Sequence, residues 1–217
     1  MLRRGILASL FLAQNPRRCS ELGTVGLDGG PARSQWHQDL RSTEGKSRVS
    51  DPARDIDELA IVAGRIATRL VERRETIVVC ESSAGGLISA ALLAVPGASR
   101  YFLGGAVVYT ATAREALLGI SHDDVKGIRS ASEPYARLLA RTARQRFGAS
   151  WALAETGATG PTGNRYGDAP GHACFAVSGA RERNHTLETG SPDREANMRA
   201  FAIAALALLE NALEDRS

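Results

Sequence analysis

Residues 76–87 read Thr76-Ile77-Val78-Val79-Cys80-Glu81-Ser82-Ser83-Ala84-Gly85-Gly86-Leu87. The run from Thr76 to Cys80 is β-branched, apolar on both faces and too brief for a helix, which predicts a central strand covered by helices on both sides. Serines and glycines break the run, and a helix is predicted from Leu87 to Ala94, closed by Pro96-Gly97. Strand, glycine loop and helix in that order form the repeating unit of an open α/β sheet, whose ligands gather at the strand carboxyl ends.

The same alternation extends both ways. Upstream, Ile56, Leu59, Ala60, Ala63, Ile66, Ala67 and Leu70 recur at spacings of three and four, an amphipathic helix that Asp51-Pro52 would begin. Downstream, Gly104 to Tyr109 reads as a strand, Thr112 to Leu118 as a helix, and Pro134 to Phe147 as a longer helix capped by Ser132. Trp151 to Thr156 reads as a strand, and a Gly- and Pro-rich loop follows from Gly157 to Pro170. Two further strands, His172 to Val177 and Asn184 to Glu188, meet at a turn around Ser178-Gly179. The last helix starts at Ser191-Pro192 and carries Met198, Phe201, Ala202, Ala205, Leu208, Leu209 and Leu213. Alternating elements that finish in a hairpin predict an α/β fold: a three-layer α/β/α sandwich with a mixed central sheet.

The chain has 217 residues, of which 43% are apolar and 24% charged, enough for one good-sized globular domain. No window is read as the roughly 18 uncharged apolar residues that a membrane-spanning helix needs, so a soluble protein with no membrane partner is expected. The net charge of +3 belongs to the first fifty residues, which hold eight basic and four acidic groups and leave 19 basic against 20 acidic in residues 51–217. A near-neutral domain lacks the cationic face that a polyanion requires, so no nucleic-acid partner is expected. Cys19, Cys80 and Cys174 are too scattered for a disulfide framework, and no histidine pair has helical ligand spacing, so no metal is expected and a reducing, cytoplasmic setting fits.

Residues 1–50 show no sustained period and are read as a disordered or targeting extension ahead of a domain at 51–217. The first twenty residues carry four arginines, no acid and an apolar run from Gly5 to Ala13. They have the look of an export signal or organelle transit peptide, which would move the protein out of the cytoplasm; an upstream start codon is the alternative.

Three segments follow predicted strands and qualify as ligand loops. In Glu81 to Gly86, two glycines allow a close backbone approach, a serine stands where a nucleophile would, and the N–H groups of the helix start favour an anion or a developing oxyanion. The alternative is ordinary capping by Ser83, with Gly85 relieving a crowded turn. In Tyr109 to Arg114, a strand end delivers a phenol and the next helix presents a guanidinium, either a two-pronged phosphate ligand or a surface arginine. In Thr156 to Gly163, the glycine spacing is not a dinucleotide fingerprint; a tight ligand-lining loop or a plain loop remains.

Taken together, Glu81-Ser82-Ser83-Ala84-Gly85-Gly86-Leu87, Val95-Pro96-Gly97-Ala98-Ser99, Gly105-Ala106-Val107-Val108-Tyr109, Leu117-Leu118-Gly119, Ala131-Ser132-Glu133 and Thr156-Gly157-Ala158-Thr159-Gly160-Pro161 resemble the C-terminal domain of the competence/damage-inducible protein CinA, in order, from Ile56 to the last helix. Stand-alone members of that family are nicotinamide-nucleotide amidohydrolases, which convert nicotinamide mononucleotide to the nicotinic acid form and release ammonia. The resemblance implies an α/β/α fold, a homo-oligomer, a small nucleotide substrate and no metal or cofactor. It places the nucleophile at Ser82, with Tyr109 and Arg114 as the other catalytic candidates and Glu81, Ser83, Gly85, Gly86, Thr156, Gly157 and Gly160 as substrate-binding candidates.

The chain departs from the family's usual motifs at three positions. Ser83 and Ala84 stand where Cys and Thr are usual, and Arg114 where Lys is usual. A lysine with a lowered pKa takes a serine's proton, whereas an arginine stays protonated. Tyr109 becomes the candidate base if Arg114 lowers its pKa. The chain's two lysines, Lys46 and Lys126, lie on no motif. Two functions follow: an amidohydrolase, or a catalytically impaired relative that binds a nucleotide or a protein partner.

Overall fold

The computed structural model describes residues 52–214, with side chains from Glu58 onward. The expected extension over 1–50 and the Asp51 cap lie outside the described residues. In chain order the elements are α1 (Pro52–Arg73), β1 (Ile77–Glu81), α2 (Leu87–Leu93), β2 (Phe102–Val107), α3 (Ala111–Leu118), α4 (Glu133–Phe147), β3 (Trp151–Ala158), β4 (His172–Ser178), β5 (Arg183–Glu188) and α5 (Arg194–Glu214). The strands lie side by side in the order β2-β1-β3-β4-β5. β1 runs parallel to β2 and β3, while β4 and β5 return antiparallel. The sheet is therefore mixed, as expected, and the carboxyl ends of β2, β1 and β3 share one edge.

Side chains alternate across the sheet and fill two cores. Ile77, Val79, Trp151, Leu153, Phe175 and Val177 pack with α1, α2 and α5 on one face. Val78, Cys80, Ala152, Ala154, Cys174 and Ala176 meet Tyr135, Ala136, Leu139, Ala140 and Ala143 of α4 on the other, together with Leu118 of α3. Each fully buried leucine, valine or phenylalanine contributes roughly 1.5–3 kcal/mol. The result is the three-layer α/β/α sandwich that the alternation predicts.

Local chemistry sets the ends of the elements. Ser132 caps α4 by accepting the N–H of Tyr135 at 3.4 Å, and Thr110 caps α3 by accepting that of Ala113 at 3.1 Å. β2 starts at Phe102, two residues before the expected Gly104, because its glycines belong inside the strand. A Cβ on Gly104 would lie 3.1 Å from the Phe147 ring, and one on Gly105 would collide with the Ser89 hydroxyl. α5 starts at Arg194 rather than Ser191. By length and composition α5 also passes as a membrane span, contrary to the reading of the sequence, but half of that window is buried inside the domain. Its apolar residues, among them Phe201, Ala205, Leu206 and Leu209, lie in the first core.

Candidate functional site

β1 ends in Glu81, whose fully buried carboxylate turns back over the start of α2. One oxygen accepts the N–H groups of Gly86 at 2.8 Å and Ile88 at 3.2 Å; the other accepts the N–H and the hydroxyl of Ser89 at 3.0 and 2.6 Å. The strand's own last residue thus caps the helix that follows it. This corrects three expectations. Ser83 is not the cap; Glu81 is bound to the helix start rather than open to substrate; and the N–H of Gly86 is not directed at a ligand. The N–H of Gly85 is likewise taken, by the carbonyl of Ser82 at 3.3 Å. The protein's own carboxylate occupies the expected oxyanion position.

A second buried carboxylate lies on the neighbouring strand. The register that pairs Cys80 with Ala154 sets Glu155 of β3 next to Glu81. One oxygen of Glu155 accepts the N–H groups of Ser82 and Ala84, each at 2.9 Å, and the other takes a short hydrogen bond from the Ser83 hydroxyl. Burial pushes the Glu155 pKa up, the Ser83, Ala84 and Ser82 donors pull it down, and the charge of Glu81 pushes it up again; it ends above the ordinary carboxylate value. Ser83 is therefore buried, while Ser82 is half-buried and its hydroxyl makes no hydrogen bond to a described residue.

Tyr109 follows β2 by two residues. The N–H of Val108 donates to the Glu81 carbonyl at 2.8 Å, so the phenol emerges beside the end of β1. The exposed Tyr109 oxygen accepts from the Arg194 guanidinium at 3.4 Å, and the same guanidinium donates to the Gly160 carbonyl at 2.9 Å. One turn further along α5, Met198 lies beside the exposed Gly85, where a Cβ would stand 2.7 Å from the methionine methyl. Buried Asn197 donates to the carbonyls of Thr159 at 2.8 Å and Ser191 at 2.7 Å, fixing the start of α5 on the loop after β3. Gly160 has no room for a side chain, because its Cβ would lie 2.6 Å from the Pro192 carbonyl oxygen. The Gly160–Pro161 peptide is cis. The start of α5 therefore bridges all three predicted loops.

Arg114 does not join this group. Its buried guanidinium donates to the carbonyls of Ile120 at 3.0 Å and Ser121 at 3.1 Å, pinning the turn after α3. The guanidinium that meets Tyr109 is that of Arg194. Thr156 faces the α4 layer and accepts the N–H of Ala131 at 3.2 Å. Gly157 lets β4 approach, since its Cβ would lie 2.6 Å from the His172 carbonyl oxygen. Of the sequence candidates, the fold gathers Ser82, Gly85, Gly86, Tyr109 and Gly160 and sets Glu81, Ser83, Arg114, Thr156 and Gly157 to structural tasks. Reading the sequence missed Glu155, Arg194 and Asn197. Glu155 carried a signal, an ionisable side chain inside an otherwise uncharged buried strand; Arg194, at an exposed helix start, carried none.

The chain and its fold have counterparts among known proteins. Residues 60–213 match the family model described as the CinA C-terminal domain. A CinA-like protein of Mycobacterium marinum is 34% identical over 177 residues, 81% of this chain and 40% of its own length. One from Prochlorococcus marinus is 43% identical over 118 residues, 54% of this chain and 28% of its own. The chain thus spans two-fifths or less of the length of these curated relatives. Among solved structures, the competence/damage inducible protein CihA of Agrobacterium tumefaciens superposes with a TM-score of 0.67 at 28% identity, covering 73% of this chain and 96% of that one. A competence or damage-inducible protein of Enterobacter asburiae gives 0.67 at 25% identity, covering 72% and 98%.

Proposed function

Because the chain belongs to the CinA C-terminal domain family, we propose that it is an amidohydrolase of the nicotinamide-nucleotide type, converting nicotinamide mononucleotide to nicotinate mononucleotide and ammonia. The observation that carries this reading is the Ser82 hydroxyl: half-buried, unpartnered among the described residues, and mounted on a segment that a buried carboxylate holds from beneath. In the proposed reaction the Ser82 oxygen attacks the amide carbon, its hydroxyl proton passes by way of water to the amide nitrogen, and the C–N bond breaks to release ammonia. Water then hydrolyses the acyl-enzyme. Tyr109 and Arg194 offer a hydroxyl and a solvent-accessible cation, suited to a nucleotide phosphate or to charge developing on the attacked carbonyl. The homo-oligomer that the family resemblance implies is part of the same proposal, and sedimentation of the purified chain checks it.

An ammonia-release assay with nicotinamide mononucleotide tests the activity. Turnover that Ser82→Ala abolishes is the expected result; turnover that survives it removes Ser82 as nucleophile. A second reading, nucleotide binding without chemistry, is favoured by the Glu81 carboxylate on the α2 N–H groups and by the position of Lys126, the only lysine among the described residues, on an exposed loop. Calorimetric binding of the nucleotide with no ammonia released would select that reading.

A further inference from the structure

Ser82 and Ser83 are adjacent, chemically identical hydroxyls on a segment that is neither helix nor strand. Nothing in their covalent structure decides which of them faces outward. We propose that Glu155 makes that choice: it is a positioning residue that captures Ser83 and so presents Ser82. The proposal rests on the amidohydrolase reading only for what Ser82 does once presented.

The geometry is specific. Backbone N–H groups outside helices and strands need partners when buried. Glu155 supplies them for Ser82 and Ala84 with one oxygen and takes the Ser83 hydroxyl with the other. Three donors from consecutive residues converging on one carboxylate fix the direction of the segment. With Ser83 drawn inward to 4% exposure, the Ser82 side chain emerges on the accessible side. A fully buried carboxylate is costly in a strand whose neighbours Leu153 and Ala154 are apolar, and an aliphatic residue would suit the sheet as well. Its contacts with the serine segment account for its presence. Glu81 holds the start of α2 independently, so changes at Glu155 leave that helix capped.

Three substitutions separate positioning from charge. In Glu155→Gln the amide oxygen can still accept both N–H groups, and the amide nitrogen can donate to the Ser83 oxygen, reversing that bond while keeping its geometry. Glu155→Asp keeps the charge but is one methylene too short to reach the segment, and Glu155→Ala removes the support. The probe is a fluorophosphonate, whose phosphorus a serine oxygen attacks with departure of fluoride and loss of the hydroxyl proton to water. The labelled residue is identified by mass spectrometry, and near-ultraviolet circular dichroism checks that each variant is folded.

The expected result is labelling of wild-type chain at Ser82, preserved within about threefold in Glu155→Gln and slowed by about a hundredfold in Glu155→Asp and Glu155→Ala, the scale of a 1 Å misplacement. Where ammonia release is measurable, the loss falls on kcat with KM nearly unchanged. Asp retaining labelling that Gln loses would make the carboxylate charge the operative property and overturn the proposal. Labelling at Ser83, or none at Ser82, overturns it as well. Ser82 labelling in the expected order without any ammonia release upholds the role of Glu155 and removes the amidohydrolase reading alone.

Discussion

Arg114 and Arg194 carry different tasks, one inside the fold and one at its surface. Arg114 is 5% exposed and fully engaged with the carbonyls of Ile120 and Ser121, so a shorter side chain leaves those buried acceptors unmet. Arg114→Ala is expected to lower stability by about 1–3 kcal/mol, read by chemical denaturation, and Arg114→Lys is expected to create no turnover that the native chain lacks. Arg194→Ala should act the other way. Its guanidinium is exposed and bridges Tyr109 and Gly160, so nucleotide affinity should fall by about tenfold or more by calorimetry while thermal stability changes little. Equal losses of stability in both variants would count against this division.

At the scale of elements, the long helices α1 and α5 are joined by an arginine ladder. Glu210 accepts from Arg65 at 2.6 and 2.9 Å and from Arg69 at 2.8 Å; Arg69 also reaches Glu214, and Arg73 donates to the Leu213 carbonyl at 2.6 Å. The Arg65 hydrogen bond, opposed by partial burial and helped by Arg69, lowers the Glu210 pKa from 4.5 to about 2. A depressed folded-state pKa gives stability that is present above about pH 4.5 and is lost as pH falls toward about 2. Glu210→Gln should flatten the acid limb of a stability-versus-pH curve in that window; an unchanged limb would remove Glu210 as its source. At seven residues α2 is too short to persist alone, and its start depends on Glu81. Glu81→Ala should therefore increase amide exchange at Gly86, Ile88 and Ser89, whereas Ser83→Ala should leave those amides protected.

Across the whole molecule, His172, the first residue of β4, ties three segments together. One ring nitrogen bonds Glu188 of β5 in a short contact, and the other lies 3.0 Å from the carbonyl of Ala131, ahead of α4, and 3.8 Å from Asp168. Burial opposes the charged ring, but the Glu188 bond, the Ala131 carbonyl and the two carboxylate charges outweigh it and raise the His172 pKa. Stability from this tie is fully present below about pH 6.5 and declines as pH rises through the higher folded-state value. Thermal unfolding of the native chain should show that alkaline loss, and His172→Gln should lack it. The strand and helix pattern that carried the fold is local: Ile77 to Cys80, Leu139 to Ala143 and Phe201 to Leu209 bury themselves by their own periodicity, so the sequence alone determined the three layers and the loop that bears Ser82. It could not determine which charged groups meet. Glu155 stands 73 residues from Ser82, and Arg194 stands 85 from Tyr109. Only the sheet order brings the first pair together, and only the return of α5 the second. Local periodicity records which face of an element is apolar, but a hydrogen bond between distant residues exists only once the backbone between them has closed, and that closure belongs to the tertiary structure.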